Sequence, residues 1–287
     1  MEIMTTDTYI VEKVCDTLVR AGSTFLPDKK GAYREAIEKE TNEQSKWVME
    51  KVLENAEAAE RNHSPLCDDT GIPHVLIEAG LNAAVTGTVI ESIKEGIRQG
   101  LRKLPGRPMA VKGNDTQRIA QSEGMDEDSG MLDAAPMLIR YTDDDVVRIH
   151  LLMFGGGPAI QGHTHRVFHK HGTEAVLNQI VEWAKASAKN LGCSPCTLAV
   201  GVGRSHYEAS SLMLQALVDG RYDEQTEMEQ EITKRVNEAN VGALGLGGDT
   251  TVLATFMKVG PQRASGVRIV CMRPCCCFEP RIASCEL

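Results

Sequence analysis

Cys67 is followed at once by two carboxylates, Asp68 and Asp69, in the stretch SPLCDDTGIPHV. Two adjacent anions raise the pKa of a thiol, so this stretch is unfavourable for a reactive free thiolate. It suits a thiolate that a metal has already deprotonated, with an acid or base held next to it. The pattern therefore makes Cys67 a candidate metal ligand.

Two further cysteine groups stand at predicted turns beside strands. The sequence CSPC contains Cys193 and Cys196, and the sequence CCC contains Cys275, Cys276 and Cys277. One ligand from each remote site is unlike a zinc ribbon, which uses two local pairs, and unlike a ferredoxin, whose cysteines share one short run. A four-iron cluster held by three thiolates would leave one iron open as a Lewis acid. Because a CxxC pair is also typical of redox sites, the cysteines alone leave both interpretations open.

Two other features suit a substrate carboxylate. Gly155, Gly156 and Gly157 follow a predicted strand in FGGGPAIQG, without the spacing of a nucleotide-binding loop. Consecutive glycines allow close approach of the backbone and offer amide donors, although a tight turn explains them equally well. Arg107 could hold a carboxylate through two hydrogen bonds, but an isolated arginine is more often a surface residue.

The segment GHTHRVFHKHG carries four histidines between positions 163 and 171. Two HxH pairs could bind a metal ion, but no neighbouring carboxylate completes such a site. We therefore favour a polar loop with one residue in contact with substrate.

The elements that must position these residues alternate between helix and strand. Helical patterns fill the first sixty residues and recur in VIESIKEGIRQGLRKL, in TEAVLNQIVEWAKASAKNLG and after Ser205, where Glu208 indicates a capping box. Strands are predicted at HVLIEAG, DVVRIHLLMF, TLAVGVG, TTVLATFM and GVRIVCM, and a long loop over residues 106–130. The mixture predicts an α/β (mixed α+β) fold, with layered helices, a mixed sheet and a helical N-terminal portion. Without an internal repeat or a linker, one domain over residues 1–287 is expected.

Composition excludes several classes of protein. The net charge of −9 argues against a nucleic-acid or anionic-membrane surface. No apolar run reaches the roughly 18 residues of a transmembrane helix, and the first residues lack a signal pattern. Nine cysteines, an odd number, do not fit a small disulfide scaffold in a chain of 287 residues. A cytoplasmic protein is expected.

Four motifs carry a family resemblance through their order: CDDTG, GGG after a strand, CSPCTLAVGVG after a helix, and a late cysteine followed by PRIA. Together they resemble the iron–sulfur hydro-lyases of the class I fumarate hydratase and L(+)-tartrate dehydratase alpha-subunit type. The resemblance covers nearly the whole chain. It implies a 4Fe–4S cluster and the reversible hydration or dehydration of a small dicarboxylate, of the fumarate/malate or tartrate/oxaloacetate type.

The resemblance also implies roles for individual residues. The cluster ligands would be Cys67, Cys193 and Cys276, the last because Arg281 then matches a family arginine. Cys196, Cys275 and Cys277 stay open as alternatives. Asp69 would be the catalytic carboxylate, and the substrate would meet Asp68, Arg107, Gly155, Gly156 and Gly157. Asp68 replaces the usual glutamine of the family, and PAIQGHTHR is closer to the tartrate-type loop, so the substrate stays open.

The implied mechanism uses the open iron as a Lewis acid toward the departing hydroxyl, while a base removes a proton from the neighbouring carbon. The family usually supplies part of this site from a beta-type domain or subunit, which does not follow Leu287. We therefore expect an alpha subunit that forms a heterotetramer with a beta-type subunit. The alternative is a non-catalytic iron–sulfur or zinc-binding protein that acts as a sensor or assembly partner.

Overall fold

The computed structural model describes residues 7–287. Contacts divide the chain into two compact units, each assembled from separate segments. Unit 1 contains the described residues up to Thr24, together with Ala56–Phe154 and Arg281–Leu287, and unit 2 contains Phe25–Asn55 and Gly155–Pro280. The single domain expected over residues 1–287 stays a prediction. Within residues 7–287, no helix is both long enough and apolar enough to cross a membrane.

The elements follow one another in a mixed order. The helices are α1 (Thr8–Ser23), α2 (Pro27–Lys39), α3 (Glu43–Asn62), α4 (Gly87–Lys103), α5 (Asp115–Ala120), α6 (Gly156–Ile160), α7 (Thr173–Leu191), α8 (His206–Asp219) and α9 (Glu227–Asn237). Short 3-10 turns occupy Ser129–Met131 and Ala243–Gly245. The strands are β1 (Ile72–Ala79), β2 (Leu138–Tyr141), β3 (Val147–Phe154), β4 (His163–Phe168), β5 (Cys196–Gly203), β6 (Val252–Val259), β7 (Val267–Cys275) and β8 (Arg281–Glu286).

Unit 1 is built on a sheet with the strand order β2-β1-β3-β8. Only β1 and β2 are parallel, and the other neighbours are antiparallel. Side chains alternate between the two faces of a strand, so Val75 and Ile77 of β1 share a face with their antiparallel partners Leu151 and Ile149. This face packs against α1 and α4 in one hydrophobic core. A Cβ at Gly96 of α4 would lie 2.7 Å from the side chain of Val14, so glycine lets α1 and α4 approach closely.

Charged residues of this sheet gather around Glu78. Its carboxylate accepts hydrogen bonds from Arg140 and Arg148, its neighbours in the register of β2 and β3. His150 Nε2 lies 3.5 Å from Glu78 Oε2, and His150 Nδ1 lies 2.7 Å from Ser284 Oγ. Burial lowers the pKa of His150. Unit 1 therefore combines an apolar core with a partly buried ionic cluster.

Unit 2 is built on a sheet with the strand order β4-β7-β5-β6. Strand β5 is buried along its whole length, as expected for a strand that is covered on both faces. One face packs against α7 and α9. Helix α8 lies so close to β5 that a Cβ at Gly201 would be 2.0 Å from the carbonyl oxygen of Ala209.

The predicted mixed α/β class with a helical N-terminal portion is confirmed. The expected long loop over residues 106–130 is wrong in part, because it contains α5, which Asn114 begins with a capping box. The histidine-rich segment was expected to be a loop but forms β4, paired with β7. At Ser205 the hydroxyl does cap α8, whereas the Glu208 carboxylate accepts a hydrogen bond from the backbone of Arg204 instead.

The two sheets share one strand order although the sequence shows no internal repeat. In unit 1, β1 pairs in parallel with β2 and antiparallel with β3, and β3 pairs antiparallel with a fourth strand, β8. In unit 2, β5 pairs in parallel with β6 and antiparallel with β7, and β7 pairs antiparallel with a fourth strand, β4. The fourth strand of unit 1 is β8, which follows β7 of unit 2 in the chain, and the fourth strand of unit 2 is β4, which follows β3 of unit 1. Within residues 7–287 the chain passes between the units after Thr24, Asn55, Phe154 and Pro280, and the last two passages separate these fourth strands from their preceding strands.

Candidate functional site

In unit 1, the predicted ligand Cys67 lies in the turn between α3 and β1. Leu66 anchors this turn, since its side chain is buried and its amide donates to the carbonyl oxygen of Gly22 at 2.9 Å. Cys67 is half-buried, and Asp68 next to it is exposed. The backbone of the turn is thus held while the Cys67 side chain stays partly exposed.

The same turn fixes the backbone of Asp69. Arg281, which begins β8 and is 2 % exposed, donates a hydrogen bond to the carbonyl oxygen of Asp69. Gly71 has a φ of +88°, and a Cβ there would lie 2.8 Å from the carbonyl group of Phe154 and 2.7 Å from the Arg281 guanidinium. Only glycine allows this close approach. The half-buried Asp69 side chain therefore projects from a rigid backbone.

Arg107 meets this turn in two ways. Its amide donates to the hydroxyl of the buried Thr70 at 2.8 Å, and its Nη1 donates to Asp68 Oδ2 at 2.9 Å. The side chains of Arg107 and Asp68 are 50 % and 83 % exposed. An exposed ion pair of this kind is worth about 0–1 kcal/mol, so the guanidinium can exchange Asp68 for another carboxylate at little cost. Unit 1 thus brings together Cys67, Asp68, Asp69 and Arg107.

In unit 2, hydrogen bonds join two of the predicted cysteine groups. Cys193 is exposed and follows Gly192, whose φ of +75° ends α7. The amide of Cys277 donates to the carbonyl oxygen of Cys193 at 2.8 Å. The hydrogen bond that the Cys277 thiol shares with Cys276 raises its pKa, and burial adds to this effect. The CSPC and CCC segments therefore lie side by side in this unit.

Cys196 begins β5, and Cys275 ends β7. Both side chains are fully buried. Burial raises the pKa of Cys275 to about 12 and raises that of Cys196 further. Arg273 Nη1 donates to the Cys275 sulfur at 3.2 Å. Cys193 is exposed and Cys276 is 9 % exposed, so both suit a ligand role better than these two fully buried thiols.

The glycine run begins a helix rather than a loop. Gly155 is the N-cap residue of α6, and Gly156 and Gly157 form its first turn with their surfaces exposed. A Cβ at Gly156 or Gly157 would meet nothing within 4 Å. These two positions face open space rather than a crowded cleft.

A buried ion pair that the sequence analysis missed holds both backbone groups of Gly155. Glu279 accepts a hydrogen bond from the Gly155 amide, and Arg273 Nη2 donates to the Gly155 carbonyl oxygen at 3.3 Å. Arg273 and Glu279 pair with each other, with their side chains 6 % and 0 % exposed. The sequence did contain a sign of this pair, since Arg273 stands within the apolar strand pattern RIVCMRPCCC. An arginine in such a strand needs a buried partner of opposite charge.

Helix α2 supplies two further side chains to residues 275–279, here named the cysteine loop. Lys29 Nζ donates to the carbonyl oxygen of Glu279 at 2.8 Å, and the Tyr33 hydroxyl donates to that of Cys277 at 2.8 Å. Both side chains are fully buried. Burial lowers the pKa of Lys29 to about 8, against the opposing effect of the nearby thiols. No sequence motif marks these residues.

The histidine segment is engaged in structural contacts. The His163 ring stacks on Trp183 with the ring centroids 5.5 Å apart, and His169 Nε2 lies 2.7 Å from the carbonyl oxygen of Ser265. His169 and His171 line a surface pocket together with apolar side chains such as Val176 and Leu177. Across the described part of the chain, residues 7–287, no three His, Cys, Asp or Glu side chains are grouped as a site for one metal ion.

The donors fit an iron–sulfur cluster in their chemistry. Thiolates are the ligands that such clusters require, and each thiolate binds a different iron, so the sulfurs need not crowd together as they do around one ion. In unit 2, Cys193 and Cys276 lie on segments joined by a hydrogen bond, and Cys276 begins a turn that the Glu279 amide closes by donating to its carbonyl oxygen at 2.9 Å.

Comparison with known proteins agrees with these features. The family described as "Fumarate hydratase (Fumerase)" matches residues 11–285. The "Putative L(+)-tartrate dehydratase subunit alpha" of Methanocaldococcus jannaschii is 30 % identical over 277 residues, covering 90 % of this chain and 94 % of that protein. The "L(+)-tartrate dehydratase subunit alpha" proteins of Escherichia coli strain K12 and Shigella boydii serotype 4 are each 23 % identical over 259 residues, covering 88 % of this chain and 83 % of theirs. The chain belongs to the fumarate hydratase (Fumerase) family and is a hydro-lyase.

Proposed function

We propose that this chain is the cluster-bearing alpha subunit of a 4Fe–4S hydro-lyase that hydrates or dehydrates a small dicarboxylate. The substrates would be of the fumarate/malate or tartrate/oxaloacetate type. The observation that carries this proposal is that two cysteine-containing segments of unit 2 lie against each other. The hydrogen bond from the Cys277 amide holds the Cys193 segment against the cysteine loop.

The proposed cluster ligands are Cys67, Cys193 and Cys276. The access of Cys67 and Cys193 to a ligand supports the first two. The interior positions of Cys196 and Cys275 favour the choice of Cys193 and Cys276 over them, and Cys277 is the closest competitor of Cys276. When bound, the cluster would supply an open iron that acts as a Lewis acid toward a hydroxyl leaving group.

Arg107 would orient the substrate. Its surface pair with Asp68 is weak, and a guanidinium binds a carboxylate through two parallel hydrogen bonds. Asp68 would hold the guanidinium in place until the substrate arrives. Gly156 and Gly157, in the exposed first turn of α6, are proposed substrate contacts because the family resemblance implies them.

Asp69 would hold or move a proton at its carboxylate, or orient the group that does so. The Arg281 hydrogen bond and the conformation of Gly71 fix its backbone, and catalysis by a positioned carboxylate depends on such fixed geometry. A carboxylate on a rigid turn next to a cluster ligand is the arrangement that this chemistry requires.

A beta-type subunit would complete the enzyme. The curated relatives from Methanocaldococcus and Escherichia are both named as alpha subunits. We propose two copies of each chain, because closed twofold assemblies are the commonest. The cytoplasm is the proposed location, since it keeps thiols reduced.

The test begins with anaerobic purification of the chain, alone and with a beta-type subunit. The wild-type protein should be brown, with near-stoichiometric iron and sulfide. Cys276→Ser should lose the cluster, whereas the matched change Cys275→Ser should keep it. The complex should convert fumarate or tartrate, and the isolated chain should be nearly inactive.

Two results would contradict this proposal. A colourless protein that holds tight zinc would exclude the cluster. Full turnover by the isolated, cluster-loaded chain would exclude the need for a beta-type subunit.

A further inference from the structure

Lys29 has an unusual environment for an ammonium group. Its side chain has no exposed surface, its Nζ lies 4.0 Å from the ring centroid of Phe25, and it donates a hydrogen bond to the carbonyl oxygen of Glu279. A buried charge is unfavourable unless an opposite charge compensates it. The surroundings of Lys29 should therefore contain a compensating anion.

The Glu279 carboxylate, which acts on Lys29, is already engaged elsewhere. The side chain of Glu279 pairs with Arg273 and accepts from the Gly155 amide, while only its backbone carbonyl meets Lys29. Among residues 7–287, no Asp or Glu forms an ion pair with Lys29. Burial lowers the pKa of Lys29 to about 8, and the nearby sulfurs of Cys276, Cys277 and Cys275, together with the Glu279 carboxylate, oppose this shift.

A protonated thiol is neutral and gives Lys29 no counter-charge. A cysteine that binds a metal does so as a thiolate, and a four-iron cluster together with its thiolates is anionic overall. The positive charge of Lys29 is thus compensated when the cysteine loop carries a cluster. Burial on α2 keeps water from screening this attraction.

We propose that Lys29 is a positioning residue that provides the fixed counter-charge of the cluster bound at the cysteine loop, and so raises its reduction potential. This inference rests on the proposed iron–sulfur function. A fixed positive charge stabilises the reduced form most, because that form carries one more negative charge.

If Lys29 had a purely structural role, its loss would affect the cluster differently. A comparison with the neighbouring Tyr33 distinguishes the structural role from the electrostatic one. Lys29 and Tyr33 both anchor carbonyl oxygens of the cysteine loop, at Glu279 and Cys277 respectively. Only Lys29 adds a charge. If anchoring alone matters, loss of either hydrogen bond should disturb the cluster in a similar way.

The experiment uses the complete chain, purified anaerobically with its beta-type subunit. The variants are Lys29→Met, Lys29→Gln, Tyr33→Phe and the exposed control Lys39→Met, which removes the same charge from the same helix. Iron and sulfide content, the visible spectrum and a redox titration followed by electron paramagnetic resonance are measured for each.

Lys29→Met should lower the one-electron midpoint potential by about 59 mV, which corresponds to a tenfold change in the equilibrium constant. Lys29→Gln keeps a donor for the Glu279 carbonyl and should show the same shift, so it decides the matter if the methionine variant does not fold. Tyr33→Phe and Lys39→Met should leave the potential unchanged.

An unchanged potential in a cluster-loaded Lys29→Gln or Lys29→Met protein would overturn this inference and leave the iron–sulfur function intact. An equal shift in Tyr33→Phe would overturn it in favour of simple anchoring. A wild-type protein without iron and sulfide would instead refute the proposed function itself.

Discussion

Arg107 in unit 1 and Arg273 in unit 2 each hold a residue of the candidate site, in opposite environments. The ion pair of Arg107 with Asp68 is exposed, while that of Arg273 with Glu279 is almost completely buried. An exposed pair is weak and exchanges partners readily. Removal of one partner from a buried pair strongly destabilises the protein, because the other charge is then buried without compensation.

The two ion pairs therefore suit different roles, one fixing backbone geometry and the other binding a substrate. The buried pair in unit 2 clamps the backbone of Gly155 from both sides, next to the cysteine loop. Such a network suits residues whose geometry must be fixed before a cofactor binds. The exposed pair in unit 1 suits a side chain that must turn toward a substrate.

The largest expected effect concerns the buried pair. Glu279→Ala should lower the free energy of unfolding by about 3–5 kcal/mol, because it leaves the Arg273 charge buried without its carboxylate. Asp68→Ala, the matched change at the exposed pair, should cost less than about 1 kcal/mol. Urea unfolding of the metal-free chain measures both, and similar losses would contradict the contrast between the units.

The next effect concerns catalysis in unit 1. Asp69→Asn should keep the iron and sulfide content and lower kcat by about a hundredfold or more, since it removes a carboxylate proposed to handle a proton. The exposed control Asp133→Asn should leave kcat unchanged. An active Asp69→Asn enzyme would remove Asp69 from the mechanism.

Arg107→Met should reduce kcat/KM by about ten- to a hundredfold, because a hydrogen bond to a charged group contributes about 1.5–3 kcal/mol. Arg107→Lys should recover only part of the loss, since an ammonium cannot bind a carboxylate in the bidentate manner. Arg118→Met on the exposed α5 is the control. Steady-state kinetics at saturating and limiting substrate measure the effect, and full activity of Arg107→Lys would argue against bidentate binding.

The smallest effect is a pH dependence of stability specific to unit 1. Burial lowers the pKa of His150, and although burial alone would raise the pKa of Glu78, hydrogen bonds from Arg140 and Arg148 hold it below its usual value. Both groups bind more protons in the unfolded chain, so their stabilisation is complete above pH 6.5 for His150 and above pH 4.5 for Glu78. This stabilisation is lost as the pH falls through the lowered pKa values of His150 and Glu78.

Urea unfolding between pH 8 and pH 5 should show this decline in the wild-type protein and a flatter profile in His150→Asn. An equally steep profile in the variant would assign the pH dependence to other groups.

Local patterns in the sequence predicted much of the fold. A short run of Val, Ile and Leu located β3, and the helical period located α7 together with its end at Gly192, because these signals come from neighbouring residues. Strand β2 has only four residues, and β4 is rich in histidine, so neither carries a clear apolar pattern. The pairing that makes them strands comes from distant residues.

The candidate site followed the same rule. The motif around Cys67 was visible because its residues are adjacent, and the thiols of CSPC and CCC were visible as groups. Lys29 was not, since it lies in an ordinary helical sequence and meets Glu279 across 250 residues. Contacts over such distances leave no trace in a single sequence, whereas a charged residue in an apolar strand, such as Arg273, does leave one.

The position of β8 in the chain, after the strands of unit 2, affects the folding of unit 1 during synthesis. Strand β3 pairs with β8, and residues such as Arg148 and Glu286 that meet across this pair are 138 positions apart. All residues of unit 2 are synthesised before β8, so the sheet of unit 1 presents β3 as an open edge throughout that interval. An open edge of buried, apolar residues is a template for pairing with other chains. Until β8 is synthesised, the β3 edge is therefore a site at which the nascent chain can aggregate.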